Sequence, residues 1–135
     1  MSNFEKFYLE DGSYIRYKKS GSGNPLILLH PIRNRLEYFD LVTPLLTKNF
    51  TVYALDLPGF GDSPVNKNMN YNQSYMTKAI TDFVVKNELS KLVLAGESIG
   101  GVLCATVASI LPKRVERVFV FNPYDYDTFF GEGVR

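Results

Sequence analysis

The sequence predicts an α/β fold: a mostly parallel sheet with helices on both faces and an antiparallel hairpin at its N-terminal end. Three observations carry this. Short apolar runs rich in Leu and Val alternate along the chain with longer segments of helical spacing. The first twenty residues hold two β-prone segments around an Asp-Gly turn. No repeat, low-complexity tract or charged linker divides the 135 residues, so one folding unit is expected. Strand and helix in alternation require parallel pairing through right-handed crossovers, and that puts helices on both faces.

Taken in order, residues 4–10 and 14–19 read as the hairpin, with Asp11-Gly12-Ser13 as its turn. After Gly21-Ser22-Gly23-Asn24-Pro25 the pattern changes to runs at 26–30, 51–56, 92–95 and 115–121, as expected of strands buried on both faces. Between them, residues 36–46, 74–88 and 99–110 have helical spacing. Chemistry in such sheets sits in the loops after the carboxyl ends of the strands, so the loops after His30, Asp56, Gly96 and Phe121 hold the candidates.

Composition narrows the function. With 45% hydrophobic and 14% aromatic residues the chain can fill a core, and 15 basic against 14 acidic residues leave a net charge of +1. The longest basic block, Arg16-Tyr17-Lys18-Lys19, is too short to attract a phosphate backbone or an anionic bilayer, so neither nucleic acid nor membrane is an expected partner. Cys104 is the only cysteine, and it lies among Val102, Leu103 and Val107, which reads as core rather than as a reactive thiol. A polar N-terminus and no internal disulfide make a cytoplasmic protein the expectation.

The segment with the most chemistry is Gly96-Glu97-Ser98-Ile99-Gly100-Gly101, which follows an apolar run and opens an apolar helix. It fits G-x-S-x-G in the context that motif requires. Gly96 and Gly100 give room for the tight crossing of the backbone. Ser98 at the helix N-terminus sets the Ile99 N–H and the helix dipole toward any oxyanion formed on attack at a carbonyl. The alternative is an ordinary loop in which Ser98 caps the helix. Phosphate loops fit less well. Gly-Lys-Ser/Thr does not occur, and Gly59-Phe60-Gly61 has Pro64 where a third glycine belongs.

Together with Leu28-Leu29-His30-Pro31 and Asp56-Leu57-Pro58-Gly59-Phe60-Gly61-Asp62-Ser63, this segment resembles the landmarks of the α/β-hydrolase superfamily in their usual order. The first resembles the His-Gly motif that closes the third strand; the second is similar to the D-x-x-G-x-G-x-S segment after the fourth. The resemblance implies a serine hydrolase of small-molecule ester or acyl substrates, without cofactor or metal, with Ser98 as nucleophile. Oxyanion donors in this fold are the N–H after the nucleophile, here Ile99, and one from the loop after the third strand. Pro31 has no N–H, so the second donor becomes Ile32. His30 takes the family's buried structural position. Arg33 and Arg35 read as a solvated loop or, less simply, as substrate anchors.

The same resemblance makes residues 1–135 the N-terminal half of a hydrolase domain, with about 122–135 as the start of a lid. Family order is Ser, then Asp or Glu, then His, yet no histidine follows Ser98. Asp125 is a candidate acid, since some members place it after this strand, although most place it one strand later. A truncated hydrolase, half of a split enzyme completed by a C-terminal partner, and a relic that only binds are the readings left open. Self-association through the last apolar strand is a further expectation.

Overall fold

A computed structural model describes residues 3–123. Its six strands are Phe4–Tyr8 (β1), Tyr14–Gly21 (β2), Asn24–Leu29 (β3), Phe50–Leu55 (β4), Leu92–Glu97 (β5) and Val115–Phe121 (β6). They form one mixed sheet in the order β1-β2-β4-β3-β5-β6. The hairpin pairs antiparallel, with Phe7 opposite Ile15 and Tyr8 opposite Tyr14. Its turn closes where the Leu9 N–H reaches the Ser13 carbonyl at 2.8 Å and Asp11 accepts the Ser13 N–H at 2.9 Å. β2 joins β4 antiparallel, whereas β4, β3, β5 and β6 run parallel. The expected α/β architecture, hairpin included, is therefore present.

Alternation along the strands sorts the core into two layers. Ile27 and Leu29 of β3 and Leu92 and Leu94 of β5 lie under Gln73–Lys86 (α2) and Ile99–Ile110 (α3). α2 presents Met76, Ala79, Ile80, Phe83 and Val84, a single stripe at helical spacing. Phe83 anchors it, taking edge-on contacts from Phe7, Tyr17 and Tyr53 at 5.0 to 5.8 Å. Asn72 caps α2 by accepting the Tyr75 N–H at 2.9 Å. Leu26, Leu28, Val52 and Val93 face the other way, against Phe39 and Leu46.

That second face carries the main departure from the sequence reading. The helix expected over 36–46 is instead a 3-10 turn at Leu36–Phe39 followed by a single turn of helix at Thr43–Leu46 (α1). Pro44 explains the break, because it has no N–H to return to Asp40 and is tolerated only in the first turn of a new helix. The face is left thinly covered. A trough of 340 Å³ remains, walled by Leu26, Leu28, Phe39, Val93, Phe119 and other apolar residues.

At the centre of the sheet, β3 has β4 on one side and β5 on the other. Chain order reverses there, and the loops that leave the ends of β3 and β5 part around a crevice. The loop after β4 borders the same end of the sheet.

Candidate active site

Ser98 stands between β5 and α3 with φ 56° and ψ −122°, in a region that side chains other than glycine rarely enter. Such a conformation costs on the order of 1–3 kcal/mol and survives only where surroundings impose it. Two close approaches impose it here. A Cβ on Gly96 would fall inside the Gly100 carbonyl, and a Cβ on Gly100 would fall inside the Leu29 carbonyl. The α3 N-terminus is thus pressed against the end of β3. Ser98 is half-buried, and its side chain makes no capping bond to α3, so the ordinary capping alternative does not describe it. Its own N–H donates to the Phe121 carbonyl at 3.0 Å, tying the turn to the last residue of β6.

The loop after β3 supplies the facing wall. Ile32 is 43% exposed, and among the described residues neither its N–H nor that of Ile99 has an acceptor. Ile32 and Ile99 line one cavity of 310 Å³ with Phe60, Tyr71, Asn72, Gln73 and Met76. Arg33 follows at φ 61° and is exposed; Arg35 lies 3.9 Å from Asp62. Both fit a solvated loop.

His30 is fully buried. Its Nε2 accepts the Leu57 N–H at 2.9 Å, which fixes the proton on Nδ1, and Nδ1–H donates to the Pro31 carbonyl at 2.8 Å. Burial holds the imidazole below its usual pKa, so the neutral ring is favoured. Both nitrogens are committed, and the ring braces the loop that bears Ile32. Cys104 is buried in the core, where desolvation pushes its thiol up and leaves it inert. Asp125 and the expected start of a lid at about 122–135 lie outside the described residues from 124 onward. Among the described residues no group of His, Cys, Asp or Glu could hold a metal ion.

Sequence reasoning missed the support beneath these loops. Arg16 of β2 is buried, and its guanidinium meets Asp56 at 2.7 Å, Glu37 at 2.8 Å and Asp62 at 2.9 Å. Desolvation is the largest single effect and works against that charge, but the hydrogen bonds that Arg16 donates to Asp56 and Glu37 and the charges of those carboxylates together outweigh it and raise the pKa further. Asp56, wholly buried, also accepts the Leu36 and Asp62 N–H groups at 2.8 Å each. The loops after β3 and β4 are thereby held to one carboxylate. Closer to Ser98, the Tyr38 hydroxyl donates to the Glu97 carboxylate, which raises the phenol's pKa and links the 3-10 turn to the turn at Ser98. Arg16 carried no signal in a strand that reads as a surface hairpin. Asp56 did, as the first residue of its glycine-rich segment.

A sequence-family profile described as alpha/beta hydrolase fold matches residues 24–134. The chain belongs to the α/β-hydrolase fold family. Among relatives of this α/β hydrolase is the pimeloyl-[acyl-carrier protein] methyl ester esterase of Citrobacter koseri, 33% identical over 103 residues, which are 76% of this chain and 38% of the relative. Among solved structures, a hydrolase from Pseudomonas aeruginosa superposes with a TM-score of 0.83 at 26% identity, over 90% of this chain and 46% of that one. The epoxide hydrolase CorEH gives 0.84 at 27%, over 92% and 43%. The chain thus spans less than half the length of these relatives.

Proposed function

We propose that this α/β hydrolase acts on small-molecule ester or acyl substrates, with Ser98 as nucleophile and the Ile32 and Ile99 N–H groups as oxyanion donors. The observation that carries the reading is the strained Ser98 at the head of α3, held by Gly96 and Gly100 and not used as a cap. A nucleophilic hydroxyl suits attack on a carbonyl where the charge that develops on oxygen meets N–H donors already in place, and among the described residues the Ile32 and Ile99 N–H groups have no acceptor. The esterase named among the relatives agrees with that substrate class, and a cytoplasmic location remains part of the proposal.

A second reading is a binding module without turnover. It is favoured by His30, the chain's only histidine, whose two ring nitrogens are both engaged away from Ser98. A seryl hydroxyl without a base is a weak nucleophile, and loss of the histidine alone costs a serine protease on the order of a millionfold in turnover.

One gel separates the two. The 135-residue chain, the same chain extended by the C-terminal half of a hydrolase domain, and the Ser98→Ala form of each are exposed to a fluorophosphonate probe. Labelling of the extended chain, abolished by Ser98→Ala, with little labelling of the shorter one, is the expected result. Labelling of the extended chain that survives Ser98→Ala would remove Ser98 as nucleophile. Rapid Ser98-dependent labelling of the shorter chain would show that it contains a base.

A further inference from the structure

The cavity that Ile32 and Ile99 share is lined by apolar and uncharged polar residues. Ile32, Phe60, Met76 and Ile99 supply apolar wall, and Met76 and Ile99 are almost fully buried. Its polar lining is uncharged, and each polar residue is already engaged within the protein. The Tyr71 hydroxyl accepts the Asn66 N–H at 2.7 Å, the Asn72 side chain caps α2, and the Gln73 amide donates to Thr106 Oγ1 at 3.3 Å. Arg33 and Arg35, further along the Ile32 loop, do not line it.

From these walls we infer that the cavity is a specificity pocket for a short, uncharged acyl or alkyl group, and that it rejects the same group when it ends in a carboxylate. The inference rests on the proposed ester-hydrolase reading and sharpens its substrate class. At 310 Å³ the cavity equals roughly ten waters of about 30 Å³ each and lies at the small end of ligand pockets. A carboxylate entering it loses hydration and finds no cation among the described residues of the wall. In the proposed binding mode the Ile32 and Ile99 N–H groups are taken by the ester carbonyl, and at the N-terminus of α2 Asn72 already takes the Tyr75 N–H. The thioether of Met76 adapts its shape to an aliphatic chain.

The test uses binding to the Ser98→Ala chain, so that turnover plays no part. Methyl hexanoate and the monoanion of monomethyl adipate have the same length and differ only in a terminal methyl or carboxylate. Each is titrated while the methyl signals of Ile32, Met76 and Ile99 are followed by NMR. The expected result is that methyl hexanoate shifts these methyls and binds at least about tenfold more tightly than the adipate. Gln73→Lys, which adds a cation to the cavity wall, should shrink or invert that ratio. Equal binding of the two esters, tighter binding of the adipate, or absence of shifts at all three methyls would overturn the inference. If Ser98 proves unreactive while methyl hexanoate binds selectively, the nucleophile assignment fails and the pocket stands.

Discussion

Ser98 and His30 show how two polar residues at one crevice acquire opposite duties. Ser98 is held in a strained conformation with its hydroxyl uncommitted as a cap, whereas His30 is relaxed, buried and bonded at both nitrogens. The depressed pKa of His30 has a consequence for stability. In the unfolded chain the ring titrates near its usual pKa of about 6.5. The folded chain resists that proton, so stability is full above about pH 6.5 and declines as pH falls toward the lower folded value. Urea unfolding between pH 8 and pH 5 should show this decline, and His30→Gln should remove much of it; an unchanged slope would assign the effect elsewhere. Legibility at this scale followed range. Ser98 and Gly96 were readable because their motif is contiguous, while Arg16 was not, because its partner Asp56 is 40 residues away.

Elements were readable where periodicity agreed with packing on a single face. The strands, α2 and α3 lie where their apolar patterns put them, β6 and α3 with the expected ends and the others with ends that differ by at most two residues. Residues 36–46 misled because their apolar spacing is helical while Pro44 forbids an unbroken helix, and the 3-10 turn buries Leu36 and leaves Tyr38 half exposed. The fit between α3 and β3 is the tightest in the site and gives a direct test. Gly100→Ala would drive its methyl into the Leu29 carbonyl, so it should destabilise the chain by about 1–3 kcal/mol or more, as a lowered urea midpoint. A neutral result would mean that α3 can lift from β3 freely, against the packing described here.

For the whole molecule, the sheet is protected unequally. Among the described residues two helices cover one face, one short helix and a 3-10 turn cover part of the other, and β6 ends the order with Phe119 and Phe121 about half exposed. A strand edge left unpaired among the described residues and bearing exposed aromatic residues invites another chain, so this 135-residue polypeptide should self-associate. Light scattering across a concentration series should show mass rising with concentration, and a constant monomer mass at high concentration would count against it. The cavity was less legible than the fold, because the wall residues Tyr71, Asn72, Gln73 and Met76 form no motif and meet Ile32 only in three dimensions. The bond from the Ser98 N–H to the Phe121 carbonyl joins these two ends of the molecule. It acts as a tether between the strained turn and the margin of the sheet: a strand that docks on β6 should stiffen the anchor of the serine, and fraying of β6 should slacken it. The shape of the turn at the crevice is therefore held partly from the rim of the sheet.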